Sequence, residues 1–200
     1  SEGKIQKPMT NMKTGESFNN VTTKYYSDLV GDVFDGNDGM AGMKRDNWEG
    51  AVRVPLIYNW PGKIEGGKTI DTKVANYDFI STMGDLLNID LAEDKDGISY
   101  LPELLGQEPN KVHDYIVYSS FQGPALVTQD GWKLRYFGPN ELYQLYYLPD
   151  DYKEEKDLSD SNIELLESLK QKLITACSGD IKNGSFSYRN GILEIPVIND

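Results

Sequence analysis

Few side chains in this sequence combine the type and spacing that covalent chemistry needs. There is no glycine-rich phosphate loop, no H-E-x-x-H, no G-x-S-x-G and no Cys-His pair at a recognisable spacing. Cys177 follows a helical stretch whose apolar residues face a core, a setting that favours a buried structural thiol over a nucleophile. The single histidine, His113, beside Asp114 at a strand start, suits a hydrogen-bonded role better than a catalytic one, and it excludes any site needing several imidazoles. The run GDVFDGNDGMAG sets Asp32, Asp35 and Asp38, with Asn37, on a glycine-rich backbone where hard oxygen donors could converge on a cation. Its spacing departs from an EF-hand loop, and most acidic glycine loops are simply solvated turns. Directly behind it, Lys44 and Arg45 form a cationic pair that could hold sulfate or phosphate, and equally suits a solvated face.

The elements that must position these groups follow from patterning. Residues 1 to about 24 are polar without an apolar period and predict an irregular extension. VRVPLIYN, Val52 to Asn59, predicts a buried strand with an irregularity at Pro55. Phe79, Met83, Leu86 and Leu87 predict an amphipathic helix from about Tyr77 to Leu87 lying on a sheet, and GISYLPELLGQ adds a helical turn closed by Gly106. The second half reads as sheet. DYIVYSSF is a strand, ALVTQ and WKLRYF flank a two-residue Asp130-Gly131 hairpin turn, and ELYQLYYL is a further strand. Ser161 to Glu164 then predicts a capping box, followed by a helix carrying Leu166, Leu169, Leu173 and Ala176 and stopped by Gly179. The tail predicts a last hairpin turning at Asn190-Gly191.

Composition excludes whole classes of partner. A net charge of −12 repels nucleic acid and anionic membrane surfaces. No run approaches the roughly 18 to 20 apolar residues of a membrane span. One cysteine permits no intrachain disulfide and no multi-cysteine metal site.

From Gly42 to Ile64 the string GMKRDNWEGAVRVPLIYNWPGKI resembles the signature of sulfatases in the alkaline-phosphatase superfamily, arylsulfatase-like enzymes with a lysine, an aromatic-Glu-Gly-Gly-x-Arg-x-Pro run and a Trp-Pro-Gly turn. In order after it, VANYDFISTMGDLLNIDL, DGISYLPELLG, DGWKLRY, ELYQLYYLPDD and KDLSD resemble successive segments of the same family's C-terminal portion. The resemblance implies hydrolysis of sulfate esters by a formylglycine made from C-x-P-x-R or S-x-P-x-R, with calcium polarising the sulfate. Neither motif is present, and Asp35 to Gly39 is not assigned as a metal segment. Lys44 matches the lysine that contacts sulfate oxygens, so the resemblance makes it both the catalytic, anion-stabilising group and a substrate contact. Glu49 and Arg53 match loop-holding positions. Ala51 departs from the second glycine of the pair begun by Gly50. His113 is placed as a second substrate contact, with Trp132 near the same cleft.

The expected fold is therefore α+β: an N-terminal extension over 1–33, the end of a sulfatase-type α/β domain over 34–110, and a small antiparallel sheet over 111–200 packed against a helix over 162–177. The expected ligand is a sulfated small molecule or glycan, with the missing N-terminal half as a further partner. No cofactor or metal site is expected within the chain itself, and a periplasmic or secreted location is implied by the resemblance alone. Such a chain should not turn over by itself, lacking nucleophile and metal. Alternatives are a non-catalytic remnant that binds a glycan or partner, and one chain of a split sulfatase.

Overall fold

The computed structural model describes residues 9–10, 14–15, 17–18, 36–92, 95–185, 187–189 and 192–194. Asp32, Asp35 and the turn pair Asn190-Gly191 lie outside them, as does most of the N-terminal extension. There, β1 (Met9–Thr10) and β2 (Ser17–Phe18) form an antiparallel pair. The chain divides into two compact units. The first gathers Ser1–Arg53, Val117–Leu126 and Trp132–Asp200, and the second gathers Val54–Ile116 and Val127–Gly131.

An antiparallel ladder organises the first unit. Strands β3 (Tyr115–Tyr118), β4 (Ala125–Thr128), β5 (Trp132–Phe137) and β6 (Leu142–Tyr147) lie in that order in one sheet. In the β5/β6 pair, Lys133 faces Tyr146, Leu134 faces Leu145 and Arg135 faces Gln144. Because successive side chains leave opposite faces of a strand, Leu134, Leu145 and Tyr143 share one face and Lys133, Arg135 and Tyr146 the other. The long helix, Ile163–Ala176, packs on β5 with Leu169 and Leu173 buried, and Lys170 Nζ lies 5.1 Å over the Tyr143 ring. The expected covering helix is thus present, on the leucine face. At its end Gly179, at φ +84°, donates its amide to Ile174 O at 2.9 Å, the expected glycine stop. The last strands, Ser187–Arg189 and Ile192–Glu194, pair antiparallel with Arg189 opposite Ile192.

Three local expectations are corrected. The Asp130-Gly131 turn takes three residues, because only Gly131 has positive φ (97°) and its amide bonds Thr128 O at 3.0 Å. That pattern is a type I turn ended by a left-handed glycine, whereas a two-residue type I′ turn needs positive φ at both centres. No capping box forms: Asn162, at the N-cap, makes no side-chain cap bond, and the Ser161 hydroxyl donates backwards to Leu158 O at 3.1 Å. Most consequential is VRVPLIYN. Glu49–Val52 forms a single helical turn, α1, and the run beyond it joins no sheet among the described residues, with Val54, Leu56 and Ile57 exposed by 75%, 56% and 85%. A buried strand needs ladder partners and cover on both faces, and the described residues supply neither.

The second unit carries α2 (Asp78–Leu87) and α3 (Leu101–Leu104), which pack on each other instead of on the expected sheet. Helix α2 starts where predicted and ends at Asn88 in the left-handed region, φ 53°. Its burial is inverted. Asp78 and Thr82 are buried, whereas Phe79, Ile80 and Leu87 stand exposed.

Candidate active-site turn

The segment carrying Lys44 is held by its neighbours at almost every residue. Gly42 has φ +96°, and a Cβ there would sit 2.4 Å from Trp48 Cβ, so only glycine lets the chain pass. Beyond it, the Asp46 amide bonds Met43 O at 2.9 Å while Asp46 Oδ2 accepts the Met43 amide at 3.0 Å, closing a tight turn. Lys44 and Arg45 occupy the tip, both exposed, with Arg45 at φ 84°. The Phe121 amide donates to Arg45 O at 3.1 Å, and the Arg45 guanidinium lies 5.3 Å over the Phe121 ring.

Behind the tip the fastening becomes buried. Asp46 Oδ1 accepts from Gln122 Nε2 at 2.8 Å; burial raises the Asp46 carboxyl above its ordinary value, opposed by the Met43 amide and the charge of Arg135. Asn47, fully buried, gives both amide protons to the carbonyls of Gly123 and Tyr136 at 3.0 Å, and its Oδ1 accepts from Arg135 Nε at 2.7 Å. Trp48 meets the Tyr146 ring edge-on at 5.7 Å and carries the Arg135 guanidinium on its face at 3.7 Å. Arg135 also donates to Gln144 and, at 2.8 Å, to Gln122 Oε1. Burial lowers its guanidinium to about 10, which leaves it charged at neutral pH.

Glu49 is the next anchor. Its amide donates to Glu154 Oε2 at 2.7 Å, and its own Oε1 lies 2.9 Å from Lys133 Nζ, which is also 2.9 Å from Glu154 Oε1. Lys133 and Glu154 are completely buried. Burial pulls Lys133 down, but the acidic groups of Tyr118, Glu154 and Glu49 outweigh it and leave the ammonium above its ordinary range. Burial raises Glu154, against the opposing pull of Lys133 and the Glu49 amide. A Cβ on Gly50 would meet Ala41 O at 2.7 Å, so glycine is required there. Ala51 sits in the helical turn without positive φ, so alanine is accommodated where the resemblance expected a second glycine. Glu49 is thus a loop-holding residue; the matched Arg53 is exposed.

His113 lies in the second unit. Its Nε2 is 2.7 Å from Asp78 Oδ1, and the imidazole and the Tyr77 ring form a T-shaped pair with centroids 5.6 Å apart. Asp78 also accepts the amides of Ala75 at 2.7 Å and Ile98 at 2.9 Å, so one buried carboxylate ties three segments to the start of α2. Asp78→Ala leaves two half-buried amides without their acceptor, and should lower stability by about 1 to 3 kcal/mol. A wild-type melting temperature for that variant would refute this account of the hub.

Lys44 belongs to the first unit and His113 to the second. Trp132 lies tilted against Tyr147, with centroids 4.9 Å apart and planes at 43°. In the described part of the acidic loop, Asn37 gives its side-chain amide to Gly42 O at 3.1 Å. Sequence reasoning missed Asn47, Lys133, Arg135 and Glu154. Alternation in WKLRYF points to Lys133 and Arg135 turning to water, and nothing local reveals that Asn47 and Glu49 wait above them.

The family model described as N-sulphoglucosamine sulphohydrolase, C-terminal, matches residues 42–178, opening on the close-approach glycine. The chain belongs to that family. Human steryl-sulfatase is 31% identical over 119 residues, covering 55% of this chain and 20% of the relative. Human arylsulfatase D is 32% identical over 88 residues, covering 43% and 14%. The Δ4,5-hexuronate-2-O-sulfatase of Bacteroides thetaiotaomicron is 29% identical over 141 residues, covering 62% and 29%. The chain therefore spans between about a seventh and three tenths of the length of these relatives. Two solved structures share its fold at a TM-score of 0.55. One is a Bacteroides thetaiotaomicron protein from work on the metabolism of multiple glycosaminoglycans, at 24% identity over 66% of this chain and 31% of that one. The other was solved with its substrate D-glucosamine-2-N,6-O-disulfate, at 21% identity over 73% and 33%. The α+β arrangement is that of a sulfatase C-terminal domain.

Proposed function

We propose that the chain is the C-terminal part of a hydrolase of sulfate esters, acting on a sulfated glycan or aryl sulfate, in which Lys44 presents its ammonium to the sulfate. The observation that carries this reading is the turn itself: an exposed lysine at the tip of a segment fastened underneath by buried polar groups, within the family match. A lysine carried on a backbone so fastened can meet the negative charge that develops on the ester oxygen. His113 is the second substrate contact in this reading. Its Nε2 faces Asp78, so the other ring nitrogen would meet the sugar.

The chain alone should be inactive, because no side chain here can play the formylglycine nucleophile. Exposed Val54, Leu56, Ile57, Phe79, Ile80 and Leu87 favour a second unit completed by further sulfatase polypeptide, either upstream in one chain or supplied separately. A periplasmic or secreted site of action goes with the same reading. Aryl sulfate hydrolysis should be undetectable with the isolated chain. When the nucleophile-bearing portion is joined to it, activity should appear and Lys44→Ala should lower kcat about 100-fold. Turnover by the chain alone would refute the inactive reading, and binding of sulfated sugar without turnover in the joined protein would favour a binding remnant.

A further inference from the structure

One side chain of β5 is hydrogen-bonded by two routes to the residues that close the Lys44 turn. Arg135, only 2% exposed, donates from Nε to Asn47 Oδ1 at 2.7 Å and from a terminal nitrogen to Gln122 Oε1 at 2.8 Å. Gln122 passes its own amide proton to Asp46 at 2.8 Å, and Asp46 in turn takes the Met43 amide at 3.0 Å. Two hydrogen-bonded routes therefore run from one guanidinium to residues 46 and 47, which close the turn. The fork is flattened on Trp48 at 3.7 Å, which fixes its plane. A planar group with donors on separate nitrogens reaches two acceptors in fixed directions, whereas an ammonium must draw both to one freely rotating nitrogen.

We infer that Arg135 is a positioning residue for Lys44: it never meets substrate, and it sets the aim of the Lys44 ammonium through Gln122 and Asp46 on one route and Asn47 on the other. This rests on the reading of Lys44 as a sulfate contact.

The test titrates inorganic sulfate into the isotopically labelled 200-residue chain and follows the backbone amides of Met43 to Asp46, with amide hydrogen exchange measured alongside. Gln122→Ala cuts one route at a half-buried position. Arg135→Lys keeps the positive charge and loses the fork, so it separates aim from field. Lys44→Ala reports on the underlying reading. One lost hydrogen bond predicts about fivefold weaker sulfate binding in Gln122→Ala and at least as much in Arg135→Lys. Exchange at the Met43 and Asp46 amides should rise by a similar factor while exchange in the helix Ile163–Ala176 stays unchanged. Should Arg135→Lys fail to fold, Gln122→Ala carries the comparison. Wild-type affinity and wild-type exchange in Gln122→Ala, with binding lost in Lys44→Ala, would overturn the role of Arg135 and leave the Lys44 reading intact. Unchanged shifts in Lys44→Ala would overturn the sulfate reading, and the exchange rates would then decide alone whether Arg135 holds the turn.

Discussion

A Lys133→Met chain is expected to lose about 3 to 5 kcal/mol of stability, the usual effect of removing one partner from a buried ion cluster. Methionine fills much of the same volume, so the loss is electrostatic and not a matter of cavity. Glu49 and Glu154 would then face one another in a dry site with no cation between them. The pH dependence gives the sign. Glu154 already binds its proton more tightly folded than unfolded, because burial raises it above the ordinary 4.5. Unfolding therefore releases that proton, and this group's contribution falls as pH rises from 4.5 through the folded value. Without Lys133 the effect should grow, so the variant's deficit should be large at neutral pH and shrink on acidification. Urea midpoints at several pH values measure it; a deficit independent of pH would contradict the assignment.

Trp48→Ala is the second large effect, again about 3 to 5 kcal/mol, as for truncating a buried tryptophan. Trp48 is 6% exposed, packs with Ala41 and Tyr146 in one apolar cluster, and supplies the surface on which Arg135 lies. Truncation should therefore also free the guanidinium and speed exchange at Met43 and Asp46. Trp48→Phe, which keeps an aromatic face, should retain most of the stability. Equal losses in both variants by thermal melting would show that an aromatic face alone does not supply the stability.

How much of this was legible beforehand depends on whether neighbours in sequence or neighbours in space decide. The long helix could be read because Leu169 and Leu173 bury at the spacing that patterning anticipates. Strands β3 to β6 were equally plain from their β-branched and aromatic runs. VRVPLIYN and α2 misled for the opposite reason. Their apolar residues are real, but the described residues hold nothing that covers them, so composition announced a core that the described residues do not enclose. Lys44 was reached through resemblance, since an exposed Lys-Arg pair on a turn has no distinctive pattern. The support beneath it was hidden altogether. Lys133 and Arg135 look like solvent-facing positions, and their burial follows only from partners 84 and 88 residues away, Glu49 and Asn47.

That separation in sequence has a consequence for how the protein is made. The Glu49 amide finds its acceptor on Glu154 only after 105 more residues have been added. At roughly 5 to 20 residues per second, translation delays that encounter by about 5 to 20 seconds. For most of that interval the segment bearing Lys44 has no β5 to rest on, and pairings this remote in sequence slow folding. The turn bearing Lys44 is therefore fastened only well after its own residues are made, and a holdase that shields early segments should raise its yield more than its final stability.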